Sequence, residues 1–264
     1  MNLLTCFKVV PDLDRMIDED WDSDGLQVET RYVRKVLNYH DESALELSLR
    51  LLDEAAARGR QVDLTAMSVG GPEVDQFLRN LYALRVHRAV RVEAAGDLRF
   101  APRSLAGIFS DYIEKNNIDV LLMGKQSAEG GNALTSFFTA ELLGWPCISD
   151  VTALRFGGGG TLVCASRLDG GMQEQVVRLP CVFVVGDAQN TALRIPTLKD
   201  KMRYGKRDIE VLEAGDVSGS EGFTLRALRR ADHSRAGTVI PGSTPVEKAR
   251  ILYEQYLNER MGRL

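Results

Sequence analysis

Residues 118–143 read IDVLLMGKQSAEGGNALTSFFTAELL, and this stretch decides the fold. A short apolar run, Ile118 to Met123, ends at a glycine-bearing turn, Gly124 to Thr135, and passes into a segment of helical periodicity that lasts to Leu143. That order is a β-α unit. Outward from it the same alternation recurs, with apolar runs at Leu3 to Val10, Val62 to Val69, Ala89 to Val92 and Cys181 to Val185. Asp41 to Arg58 presents Ala44, Leu45, Leu47, Leu49, Leu51 and Leu52 as one broad helical face, and Glu73 to Leu84 and Pro102 to Asn116 carry similar periodicity. Helices that separate successive strands predict an α/β fold with a mostly parallel, doubly wound sheet.

The texture changes near Asp150. Val151 to Phe156, the run Gly157 to Gly160, Thr161 to Arg167, the turn Asp169-Gly170-Gly171 and Gln173 to Leu179 predict antiparallel hairpins added to that sheet. The glycine run lacks the G-x-x-x-x-G-K-[ST] order of a phosphate loop and reads as a hairpin turn. After Asp187 the strand-helix rhythm stops and the chain becomes basic, with Arg194, Lys199, Lys201, Arg203, Lys206 and Arg207 close together. Residues 215–245 are polar and weakly periodic, and Pro245 to Met261 predicts a last helix. The expected organisation is an α/β domain at 1–187, a basic segment at 188–214, and an extended arm at 215–264 that lies on another subunit.

The 264 residues carry 33 Lys plus Arg against 37 Asp plus Glu, a formal charge of -4, so no global positive field favours nucleic acid. Lys8 and Asp12 follow the N-terminus too soon for a signal-peptide core, and no apolar run reaches the roughly 18 residues of a membrane span. A cytoplasmic location is the expectation. Cys6, Cys147, Cys164 and Cys181 are far apart without a C-x-x-C pair, and His40, His87 and His233 are equally scattered, so neither a metal site nor a disulfide framework is predicted. There is no G-x-S-x-G and no H-E-x-x-H, and His40, before Asp41-Glu42 at a helix start, reads as a polar residue of the cap region.

Binding is better supported than catalysis. In an open α/β sheet ligands collect beyond the carboxyl ends of the strands. Three loops qualify: Cys6 to Val9, Ser68-Val69-Gly70-Gly71-Pro72, and Gly124 to Thr135, whose Ser127, Asn132 and Thr135 lead into a helix where an anion could meet free N–H groups.

Several landmarks then fall in a meaningful order: Cys-Phe-Lys-Val-Val-Pro-Asp at 6–12; Val36-Leu37-Asn38-Tyr39-His40-Asp41-Glu42; Ser68-Val69-Gly70; Gly124-Lys125-Gln126; Glu141-Leu142-Leu143-Gly144-Trp145-Pro146; Asp169-Gly170-Gly171; and Arg194-Ile195-Pro196-Thr197-Leu198. Over nearly the whole chain this resembles the small (beta) subunit of the electron-transfer flavoproteins, whose sheet is of the adenine nucleotide α-hydrolase-like type. The resemblance implies an electron carrier rather than an enzyme. It implies a heterodimer with a larger alpha subunit that holds most of a redox FAD, with AMP, or in electron-bifurcating members a second FAD, in the small subunit.

Carried over by position, the nucleotide pocket would use Cys6, Asn38, Tyr39, His40, Asp41, Val69 and the loop Gly124, Lys125, Gln126, Ser127, Ala128, Glu129, Gly130, Gly131, Asn132, Ala133, Leu134 and Thr135. The family's phosphate loop commonly reads like D-x-D-x-x-Q-[TV]-G; here Glu129, Gly131, Leu134, Thr135 and Ser136 stand at those positions, and Leu134 replaces the glutamine. Tyr39 and His40 replace the usual residues before Asp41. The resemblance also implies that Leu198 docks into a hydrophobic pocket of an acyl-CoA dehydrogenase, although Lys199 stands where proline typically follows. A stand-alone adenine-nucleotide-binding sensor is the alternative, and the long arm after Asp187 argues against it.

Overall fold

A computed structural model describes residues 1–96, 98–188, 191–216, 225–229 and 237–261. Its frame is a nine-stranded sheet. The strands are β1 (Asn2–Cys6), β6 (Asp63–Val69), β7 (Arg88–Ala95), β8 (Val120–Gly124), β9 (Cys147–Phe156), β10 (Thr161–Leu168), β11 (Gly171–Arg178), β12 (Cys181–Val185) and β13 (Glu210–Asp216). Two small antiparallel pairs stand apart, β2 (Val9–Pro11) with β5 (Lys35–Leu37) and β3 (Trp21–Asp22) with β4 (Gln27–Val28). The order across the large sheet is β11-β10-β9-β12-β8-β1-β6-β7-β13. Every neighbouring pair from β9 to β13 is parallel, while β9, β10 and β11 pair antiparallel through the two glycine turns.

Side chains of successive strand residues point to opposite faces, so each central strand feeds two cores. Leu3, Leu64, Leu122 and Phe183 lie in the core beneath α1 (Tyr39–Ala57) and α2 (Asp75–Ala83). Leu4, Met67, Leu121 and Val182 lie in the one beneath α3 (Pro102–Lys115) and α4 (Thr135–Leu143). Gly144 ends α4 in the left-handed region at φ 64°, which a residue without a Cβ adopts cheaply, and Trp145 N–H then bonds the Ala140 carbonyl.

The hairpins and helices match the sequence expectations closely, and three details differ. The run from Leu3 to Val10 is two strands, because after Cys6 the Lys8 N–H leaves the sheet to bond the Asp41 carboxylate at 2.9 Å. Strand β9 begins at Cys147 rather than Val151, running parallel to β12 before a register shift beside Asp150, whose φ is 49°. The third difference lies beyond Asp187, where the sequence reading has no strand. There a helix α5 (Leu198–Tyr204) packs on α2, and β13 extends the sheet edge beside β7. Its Glu210 pairs with Arg88 at 2.7 Å, while Leu212 and Ala214 pack against the core under α3.

Helix α6 (Pro245–Leu252) continues through one π-type stretch into α7 (Asn258–Met261), as the sequence predicts. Of the expected arm at 215–264, residues 217–224, 230–236 and 262–264 lie outside the described residues, His233 among them. Among the described residues no helix is long and apolar enough to cross a membrane, and no group of His, Cys, Asp and Glu could hold a metal ion.

Candidate nucleotide cleft

Strand order reverses at β1: the chain moves from β1 to β6 and β7 on one side, then crosses to β8 on the other. Beyond the carboxyl ends of strands at such a switch point the loops part and leave a crevice. Here the crevice holds a cavity of about 110 Å³.

Its polar floor is organised by Asp41. Asn38 begins α1, so Asp41 falls in the first helical turn and points at the sheet. One carboxylate oxygen accepts the Gly124 N–H at 2.9 Å, at the end of β8. The other accepts the Lys8 N–H, just past β1, and the Asn38 amide at 3.0 Å. A single buried carboxylate thus ties two strand ends to a helix start. Gly124 is required by this approach, since a Cβ there would lie 2.6 Å from the Asp41 backbone nitrogen. Burial pushes the Asp41 carboxyl up to about 6, against the pull of the Lys8, Asn38 and Gly124 hydrogen bonds. Burial, and next the Asp41 charge, also push the Cys6 thiol well above its ordinary value, which keeps it a neutral wall residue rather than a nucleophile.

Asn38 extends the weave into the loop after β8. Its amide donates to the Gln126 carbonyl at 2.8 Å, and its Oδ1 accepts the Ala128 N–H at 3.1 Å. Lys8 Nζ donates to the Glu129 carbonyl at 2.9 Å and lies 3.4 Å from the Glu129 carboxylate. Lys125 pairs with Asp150 at 2.9 Å, at the register shift of β9. At the far end, Asn132 Oδ1 accepts the Leu134 N–H, and the first intrahelical bond of α4 runs from Phe138 to Leu134. The amides of Thr135, Ser136 and Phe137 precede that bond, where a helix offers donors to an anion. The rest of the lining is largely apolar, with Val69, Leu98, Leu105, Phe109 and Met123, and it includes Arg99.

Of the residues expected from the sequence, Cys6, Asn38, Asp41, Val69, Gly124, Lys125, Gln126, Ser127, Asn132, Ala133, Leu134 and Thr135 line this one cleft. Six do not. Tyr39 is 62% exposed, and His40 sits edge-on to it with Nδ1 3.7 Å from Asp187, facing the chain that leaves β12. Ala128, Glu129, Gly130 and Gly131 form the outer frame of the loop, with their backbone groups turned toward Asn38, Lys8, Arg99 and Gln126. The reason is the turn itself: Gly130 at φ 84° and Gly131 at φ 59° carry the chain away from the sheet before Asn132 returns it.

The lining also includes residues outside the expected set: Phe7, Lys8, Leu98, Arg99, Leu105, Phe109, Met123 and Ser136. Phe7 and Lys8 fall in a loop that the strand-end rule already marks. Leu105 and Phe109 are four apart on one face of α3, a spacing that periodicity alone assigns to the core.

Leu198, the expected docking residue, lies outside this cleft. It opens α5, whose first turn is capped by Thr197 accepting the Asp200 N–H, and it is 74% exposed.

Comparison with known proteins gives one consistent result. Residues 25–217 match the model of the electron transfer flavoprotein domain. The chain is 32% identical to the "Putative electron transfer flavoprotein subunit YgcR" of Escherichia coli (strain K12), over 99% of each chain. It is 29% identical to the electron transfer flavoprotein subunit beta of Bos taurus over 74% of each, and 27% identical to that of Bacillus subtilis (strain 168) over 82% of this chain and 84% of the other.

Proposed function

The chain belongs to the electron-transfer flavoprotein family, on the beta-subunit side, and from that premise we propose that it pairs with a larger alpha-type subunit and holds an adenine nucleotide in the cleft at the switch point. The pair shuttles electrons from an acyl-CoA dehydrogenase-type donor to a downstream acceptor. FAD held mainly by the larger subunit supplies the redox chemistry when bound, and this chain contributes support and positioning. No side chain of this subunit needs to exchange protons or bonds with a substrate.

The observation that carries the nucleotide reading is the two-sided cleft. The apolar wall of Val69, Leu105, Phe109 and Met123 suits a planar base, and the first-turn amides of α4 with Arg99 suit a phosphate. The residues present therefore fit an adenine nucleotide, whether AMP or the AMP half of a second FAD. Leu134 in place of a glutamine removes an amide, and the backbone amides that follow it remain.

Mass spectrometry of nucleotides released from the co-purified heterodimer tests this. One FAD plus AMP, or two FADs, supports the reading and selects between the plain and the bifurcating forms. FAD alone, at one per heterodimer, overturns the nucleotide assignment and leaves the cleft a structural crevice.

A further inference from the structure

Ahead of α5, residues 191–197 cross α1 as a strap without regular secondary structure. Its course is set by hydrogen bonds to consecutive turns of α1. Thr191 bonds the Ser43 hydroxyl at 2.8 Å, the Leu193 N–H reaches Glu42 at 3.3 Å, and the Arg194 N–H reaches Glu46 at 3.2 Å. The Arg194 guanidinium then closes a fork on the Glu46 carboxylate, Nε to Oε2 at 3.1 Å and Nη2 to Oε1 at 2.9 Å. Its remaining arm reaches Asp53, two helical turns further on, at 2.6 Å. The Glu46 carboxylate is 6% exposed. A planar fork on a planar carboxylate fixes direction as well as distance.

Directly past this clamp the character of the surface inverts. Ile195 is 88% exposed, Leu198 74% and Met202 67%, with Lys199, Lys201 and Arg203 around them. The far side of this apolar stripe is held independently. Arg85 stacks over the Tyr204 ring at 3.9 Å and lies 3.4 Å from Asp200, the Tyr82 hydroxyl donates to the Asp208 carbonyl, and β13 is hydrogen-bonded into the sheet. Ile195 and Leu198 thus sit on a span bracketed by two arginines, and only the bracket on the Arg194 side faces α1.

We propose that the Arg194–Glu46 fork is a positioning pair for docking: it fixes the direction in which Ile195 and Leu198 project, and thereby sets the affinity for the electron donor without entering the nucleotide cleft. This rests on the docking role of Leu198. Neither residue of the fork lines the nucleotide cleft. The fork acts by removing conformations of the strap that the partner would otherwise have to freeze out. Burial works to raise the Glu46 carboxyl, and the Arg194 hydrogen bonds outweigh it and hold the carboxyl below its usual range.

The test uses the whole heterodimer with Arg194→Ala, Arg194→Lys, and the double variant Arg194→Met with Glu46→Met, which removes the fork without stranding a buried charge. Amide exchange read by mass spectrometry reports the strap directly. Exchange across 193–199 is expected to speed about tenfold or more in the alanine and double variants, while the end of α5 and β13 keep wild-type rates. Arg194→Lys restores part of the protection.

In steady-state reduction by an acyl-CoA dehydrogenase chosen because it reduces the wild-type heterodimer, KM for the heterodimer rises about tenfold and kcat stays within about twofold. Leu198→Ala serves as the control. If Leu198→Ala raises KM and the fork variants do not, the positioning role fails and docking stands. If Leu198→Ala leaves KM unchanged, docking itself fails and the fork falls with it. Loss of flavin or of the partner subunit in the double variant also overturns the proposal, because the fork is then part of the fold.

Discussion

Helix α1 and the C-terminal helical stretch 245–261 are of similar length and opposite circumstance. Of the 19 residues of α1, ten are buried, and its leucines fill the core over β1, β6 and β8. The C-terminal stretch carries Val246, Leu252, Tyr253, Tyr256, Leu257 and Met261, and each of these is exposed or half-buried. An isolated helix of that length is marginal in water even with good helix formers, because most helical stability in proteins comes from the packing of an apolar face. Thr244 caps the start by accepting the Glu247 N–H, and a cap contributes only about 1 kcal/mol. One helix therefore belongs to the core of the fold, and the other leaves its apolar side chains largely exposed.

The sharpest way to break that contrast is in α1. Leu49→Ala, at a site 2% exposed, should cost ~2–5 kcal/mol in urea unfolding, because the neighbouring leucines collapse only partly into the space left. A loss below about 1 kcal/mol would mean that α1 is no more integral than the terminal helix.

Next in size is a pH effect. In the folded chain the Asp41 carboxyl is raised to about 6 from 3.8. Between those values the folded state binds the extra proton, so its contribution is complete below about pH 4 and is lost as pH rises through about 6, by up to about 3 kcal/mol. Asp41→Asn does not titrate. The stability of wild type relative to this variant should therefore fall between pH 4 and pH 7 in parallel denaturant melts. A difference that rises or stays flat would show that the hydrogen bonds from Lys8, Gly124 and Asn38 outweigh burial.

Docking comes third. Leu198→Ala should lower electron transfer from the dehydrogenase five- to hundredfold, which corresponds to ~1–3 kcal/mol at a central anchor, while flavin content and chemical reduction stay near wild type.

The smallest expected stability effect is at the terminal helix. Deleting residues 242–264 should change the unfolding free energy of the α/β body by under ~0.5 kcal/mol and should abolish co-purification with the larger subunit. A loss of several kcal/mol would return this helix to its own domain.

The sheet was legible because its central strands are nearly all apolar and are divided by amphipathic helices. Strand β13 was not. Its Glu210, Glu213 and Asp216 read as solvated, and the arginines of β7 that receive the edge, Arg88 among them, lie far away in sequence. The polar half of the cleft was legible from the loop glycines and the helix starts. Its apolar half was not, because Leu105, Phe109 and Met123 obey the same periodicity as residues of a closed core. Only the gap left by strand reversal distinguishes a wall from an interior. His40 lies outside the cleft lining for a related reason: one residue from Asp41 on a helix, it points about a quarter turn away, toward Asp187.

That quarter turn has a consequence for what changes the chain can accept. Asn38 and Asp41 serve the cleft, while Glu42, Ser43 and Glu46 hold the strap, so two tasks are interleaved on the same two turns of α1. Substitutions there are separable, each harming one task. A one-residue insertion between Asp41 and Glu46 is different in kind, since it would rotate the rest of the helix by about 100° and advance it by about 1.5 Å. Glu46 would swing off the strap and Ser48 away from Thr5, while the cleft side stayed in place. The segment should therefore tolerate variation in spelling far better than variation in length, and the distance from Asn38 to Glu46 should behave as a fixed ruler between cleft and strap.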